Sequence, residues 1–136
     1  MSTTFREIET LEGVVPSENQ EHSPLVEWYA RIRDIPLSSF RAEDLCKSIR
    51  QCLFPEYVVP AAIEVLEKEP LAGEMYDGEL ASAFSAISET FWCEHKQIAA
   101  RTLRVLKRVL PQFESDDAKG NVLAALACIE AAMSQS

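Results

Sequence analysis

Glycine is scarce in this chain, four in 136 residues. None of the four stands in a phosphate-cradling loop, so a nucleotide-binding reading has no starting point. Histidine is scarcer still, with only His22 in a polar stretch and His95 beside an apolar run. No HExxH and no Gly-x-Ser-x-Gly is present, which removes the familiar metalloprotease and hydrolase signatures. The four cysteines, Cys46, Cys52, Cys93 and Cys128, form no CxxC pair and no zinc-ribbon spacing. Each falls in an apolar periodic run, where a free thiol behaves as a small hydrophobe, so reduced core thiols are expected. Cys93, Glu94 and His95 adjoin one another, but a metal site would need further ligands from elsewhere; no metal and no cofactor is expected. No run approaches the ~20 apolar residues of a membrane span. The opening MSTTFREIETLEG lacks a basic start followed by an apolar core. The expectation is a cytoplasmic protein with no membrane contact.

Bases are also in the minority, 13 Lys and Arg against 22 Asp and Glu, for a net charge of −9. The imbalance is local. Residues 51–95 hold nine acids and one lysine, a net of −8, whereas residues 1–50 carry −3 and residues 96–136 carry +2. A concentrated negative field attracts a cationic surface and repels nucleic acid. The densest part is residues 54–80, FPEYVVPAAIEVLEKEPLAGEMYDGEL, which also holds three of the seven prolines.

What is plentiful is helical periodicity, in a chain whose length suits one domain and whose 47% hydrophobic content suits a packed core. Phe5, Ile8 and Leu11 mark a first helix stopped by Gly13, and the polar stretch 14–23 reads as a linker, so residues 1–22 are expected to dock loosely. Ser23-Pro24 is a hydroxyl cap with proline at the first helical position, ahead of Leu25, Trp28, Tyr29 and Ile32 on one face. A third helix is expected over 40–53, burying Leu45, Ile49, Cys52 and Leu53. A fourth follows over 56–69, with Val59, Ala62, Ile63 and Leu66 inward and Glu64, Glu67 and Glu69 outward. Pro60 is tolerable only in a first turn, which moves the regular start of this helix to about residue 57. Asp77 is placed to cap a fifth helix carrying Leu80, Phe84, Ile87 and Phe91, with Ser88 a possible break. A sixth is expected over 94–110, with Arg101, Arg104 and Arg108 on its outer stripe. Ser115 or Asp116 caps a last helix with Val122, Leu126, Ile129 and Met133 in one seam, where Gly120 costs roughly 1 kcal/mol relative to Ala. No segment alternates with period two. The fold class is all-α, a compact bundle of about seven helices or a short solenoid-like stack.

Paired carboxylates such as Glu64 with Glu67 are read as a solvated helix face, and no catalytic residue is assigned. The arginine stripe is read as solvated or as an internal partner for acids, because nucleic-acid-binding domains show a basic footprint that this chain lacks. Tyr57 and Tyr76, at element edges with polar tips, suit a contact surface.

The stretch PLSSFRAEDLCKSIRQCLFPEYVVPAAIEVLEKEPLAGEMYDGEL, followed by Phe91, Trp92 and His95, resembles the bacterial contact-dependent growth inhibition immunity proteins. The resemblance rests on Pro36, Leu37, Phe40, Asp44, Leu45 and Gln51, then on Tyr57, Pro60 and Leu66. It continues through Pro70, Leu71, Ala72, Tyr76, Gly78 and Leu80, and Leu11 to Gly13 also fit. Arg41 stands where a Thr or Ser cap is usual, Phe54-Pro55 replaces a glycine-containing turn, and Lys96 follows His95 where proline is common. The resemblance implies a non-enzymatic protein that binds one-to-one and neutralises the carboxy-terminal toxin domain of a cognate effector, often a nuclease. The acidity agrees, since a nuclease needs a basic groove. The expected contact residues are Glu56, Tyr57, Glu64, Glu67, Glu74, Tyr76, Asp77 and Glu79, with Glu114, Asp116 and Asp117 the next acids in line. The other class of reading is an acidic adaptor or chaperone-like module that holds a basic helix or peptide in a groove.

Overall fold

A computed structural model describes residues 3–13, 24–73 and 78–134. The chain divides into two compact units, Met1–Arg41 and Ala42–Ser136, where its length suggests one domain. Among the described residues all regular structure is helical, eight α-helices joined by turns and short 3-10 segments.

In the first unit, α1 (Phe5–Glu12) opens where the Thr4 hydroxyl accepts from the Glu7 amide, and closes at Gly13, left-handed at φ 70°. That is the glycine stop read from the sequence. α2 (Pro24–Ile32) follows, and its expected cap Ser23 lies outside the described residues. The Phe5 ring stacks on Tyr29 at 5.6 Å and meets Phe40 edge-on at 5.4 Å. Beside this cluster Glu9 is buried and accepts from Arg33 Nε at 2.8 Å, from Arg33 Nη2, and from the Tyr29 hydroxyl. Burial, and then this hydrogen bond, pushes the Tyr29 phenol up. The amides of Arg6 and Leu37 reach the carbonyls of Arg33 and Thr3. The first helix is thus tied to α2 and to the turn at Leu37–Ser39 by stacking, an ion pair and backbone bonds. Two residues of the expected apolar stripes face outward: Leu11 is 73% exposed and Leu25 42%.

The second unit begins with α3 (Ala42–Arg50), which buries Leu45, Cys46, Ser48 and Ile49. It stops short of the expected 53. Cys52 takes a left-handed φ of 55°, its amide bonds the Ile49 carbonyl, and the Leu53 amide bonds that of Ser48. This is a Schellman ending with cysteine in the position glycine usually fills. Cys52 is exposed as a result, against the expectation of a core thiol, whereas Cys46 is buried and Cys93 and Cys128 are partly covered.

α4 (Pro55–Lys68) starts at Pro55, two residues before the expected point, so Pro60 lies inside the helix. Its missing N–H and its ring cost roughly 3 kcal/mol. The same helix buries Val58, Val59, Ala62, Ile63 and Leu66, and each large side chain contributes about 1.5–3 kcal/mol, which offsets that cost. The expected fifth helix is two elements. α5 (Glu79–Ala83) runs into a 3-10 turn at Phe84–Ala86, and α6 (Glu89–Glu94) restarts where the Ser88 hydroxyl accepts from the Phe91 amide. α7 (Lys96–Val109) ends in the 3-10 turn Leu110–Gln112 that holds Pro111. α8 (Asp116–Ser134) is the longest helix and packs on α5, α6, α7 and the turn at Phe84–Ala86. Trp92, Leu80, Phe84, Leu106, Val122 and Ile129 are fully enclosed. Met133, expected in the α8 seam, is 37% exposed. Among the described residues no helix is long and apolar enough to cross a membrane.

Candidate functional site

The inward set of α4 leaves its opposite face to Glu64, Glu67 and Lys68, all exposed, with Glu69 exposed at the helix's end, while Glu56 and Tyr57 are half-buried in the first turn. Glu67 accepts from Arg101 Nη2 at 3.0 Å, across to α7. Both partners are about two-fifths exposed, so the pair contributes little to stability, ~0–1 kcal/mol. Its effect is on charge, since one arginine of the outer stripe is turned to an acid of this face. Lys107 similarly pairs with Glu130 at 3.3 Å. Among the described residues Glu64 and Glu69 form no ion pair, so their charge stays on the surface.

Glu79 does not belong to that surface. Gly78, left-handed at φ 86°, starts α5 so that Glu79 turns inward and is only 4% exposed. Its Oε2 accepts from Arg50 Nη1 at 3.0 Å. A buried carboxylate with one cationic partner is part of the scaffold, and removing the partner would leave a costly uncompensated charge. The other three expected contact residues, Glu74, Tyr76 and Asp77, lie outside the described residues.

The chain after α4 builds a feature that spacing alone did not disclose. The Ala72 amide bonds the Glu69 carbonyl, and the Leu71 and Ala72 carbonyls accept from the amides of Gly78 and Leu80 at 2.9 and 3.0 Å. Facing this segment is the link between α7 and α8. Phe113 is buried there against Gly78, so closely that a Cβ at Gly78 would lie 3.0 Å from its ring. A depression of about 550 Å³ opens between the two, with Leu71, Phe113 and Ala118 apolar in its lining and Gln112, Glu114, Ser115 and Asp117 polar. A second, of about 400 Å³, shares Leu71 and Gln112 and continues past Pro70, Ala72 and Gly73 to Glu69. Glu69, from the acidic middle third, and Glu114 and Asp117, from the second group of acids, therefore line two depressions that adjoin at Leu71 and Gln112 as one groove, with no Lys or Arg among the described residues that line it. The sequence held the acids but not their meeting, because the two walls are about forty residues apart.

Elsewhere the chemistry is structural. His95 sits between α6 and α7 with its ring 4.5 Å from that of Phe91. Among the described residues no three of His, Cys, Asp and Glu converge as metal ligands. Burial pushes the Cys46 thiol up to about 12, with Glu79 adding to the shift and Arg50 opposing it. Trp92 is fully buried and its indole N–H finds no acceptor among the described residues.

Beyond this geometry the chain is similar to a known family. The model of a family described as CDI immunity proteins matches residues 9–102, which run from the middle of α1 into α7.

Proposed function

Because this chain belongs to the CDI immunity proteins, we propose that it neutralises its toxin by occupying a basic active-site groove with the acidic outer face of α4. The toxin in this reading is a nuclease, bound one-to-one, and no catalytic step is performed on it. The contact set is Glu56, Tyr57, Glu64 and Glu67, extended by Glu74, Tyr76 and Asp77 in the following loop.

The observation that carries the reading is the exposed pair Glu64 and Glu67 on a helix whose stability comes from its other face. A fold needs a polar outer side, but crowded like charges are mildly repulsive and stabilise nothing. Their benefit lies in association. A negative face opposite a positive groove raises encounter rates well above the ~10⁵–10⁶ M⁻¹s⁻¹ of unsteered docking. Glu79 is a scaffold residue in this scheme, held by Arg50 at the end of α3.

The test is a titration of the purified toxin domain of the cognate effector, with nuclease activity as the readout. Inhibition should rise linearly and end sharply at one equivalent, and co-expression should rescue growth. Inactivation at far less than one equivalent would mean turnover and overturn the blocking reading; activity that persists at excess would overturn the partner.

A further inference from the structure

Resting on that toxin-binding reading, we propose that the groove between residues 69–73 and the turn from Gln112 to Ala118 receives one arginine side chain of the toxin. The lining is divided in the way such a side chain is divided. Half-buried Leu71, with the edges of the largely buried Phe113 and Ala118 beneath, gives an apolar floor, while Glu69, Glu114 and Asp117 place carboxylates around it. Arginine lays its aliphatic stem on apolar surface and keeps its cationic head at a polar edge. Its guanidinium is weakly hydrated and forked, so it gives up water more readily than lysine and engages carboxylates two at a time.

One feature of the site opposes a cation: the amino terminus of α8 opens into the lining, equivalent to about half a positive charge. It is answered locally. The Ala118 amide donates to the Ser115 hydroxyl, and Asp116 and Asp117 stand in the first turn. With Glu69 and Glu114 the carboxylates outweigh the dipole several-fold, so the field in the groove is negative. An anion or a phosphate backbone is thereby excluded as the occupant.

The groove is also preformed. Its one wall is pinned by the backbone bonds from Gly78 and Leu80, and its other by Phe113 seated on Gly78. Arginine therefore enters without ordering either wall, and the contact is a fixed anchor separate from the steering charges of α4. It acts on dissociation, where those charges act on association.

Two variants test this with the toxin domain of the cognate effector as the probe. Gln112→Trp fills the groove from an exposed position common to both depressions. The combined Glu69→Gln, Glu114→Gln and Asp117→Asn variant keeps shape and removes charge. Each should keep the wild-type circular dichroism spectrum and dissociate from the toxin at least about thirtyfold faster, the loss expected when one side of a desolvated charge pair is removed. Arg104→Gln should dissociate like wild type. If wild type binds and both variants dissociate at its rate, the groove is empty in the complex and the proposal falls while the immunity reading stands. Slower association with unchanged dissociation in the neutralised variant also overturns it, because the acids would then only steer. If wild type itself does not bind the toxin, both readings fall.

Discussion

Cys46 and Cys52 belong to one helix and its closing turn, yet they meet opposite surroundings. The sequence treated them alike, because apolar periodicity does not reveal a left-handed residue. Cys52 adopts φ 55° to close α3, a conformation that costs an L-residue roughly 1–2 kcal/mol. Cys52→Gly should therefore stabilise the protein by about 1 kcal/mol in urea denaturation; a lower midpoint would mean the side chain packs more than its exposure indicates. Thiol labelling of native protein should modify Cys52 quickly and Cys46 only on unfolding, with four thiols counted in denaturant. Cys46 also sets a pH dependence. Its thiol is pushed up to about 12 from an ordinary 9.0, so the folded chain keeps a proton that the unfolded chain releases. The site has no effect below about pH 9 and lowers stability as pH rises from there towards 12, with a limiting slope of ~1.4 kcal/mol per pH unit. Comparing urea midpoints near pH 8 and roughly pH 10.5 should show a smaller loss in Cys46→Ala than in wild type. The Tyr29 phenol, pushed up in the other unit, titrates identically in both proteins and cancels in the comparison.

At the scale of elements, signals that act within a few residues were legible. Gly13 stops α1, Ser88 breaks the Leu80-to-Phe91 seam and caps α6, and Ser115 caps α8. Pro60 was the instructive failure. The rule against proline in a helix interior moved the expected start of α4 later, but burial of that helix outweighs the local cost, and Pro55 supplies an earlier start. The seams of α1 and α2 overran for a related reason: period predicts which residues share a face, not how far along the face a neighbour extends, and Leu11 and Leu25 lie beyond cover. Gly120 gives a test of a purely local term. It lies inside α8, and a Cβ there would meet nothing within 4 Å. Gly120→Ala should raise stability by roughly 0.5–1 kcal/mol through helix propensity and reduced unfolded-state entropy. A thermal midpoint at or below that of wild type would contradict open space at this position.

For the whole molecule, the charge asymmetry is the most informative feature of the sequence, and the fold refines it without dispersing it. Glu64, Glu67 and Glu69 stay outside, Glu79 is drawn in to Arg50, and Arg101 reaches back to Glu67. The last two pairings join residues 29 and 34 positions apart, which no spacing rule anticipates. The groove was illegible for the same reason, since its walls meet only once α4, α7 and α8 are packed. In the proposed function the acidic third steers the toxin. Stopped-flow association of the toxin domain measures that steering, with wild type and with the Glu64→Lys, Glu67→Lys, Glu74→Lys, Asp77→Lys variant, each at two salt concentrations. Wild type should associate fast and slow steeply with salt. The variant should associate at least about tenfold more slowly at low salt, with a flattened salt dependence, and Arg104→Glu should behave like wild type. A quadruple variant that associates as fast as wild type, with the same salt dependence, would place the interface elsewhere and contradict the account.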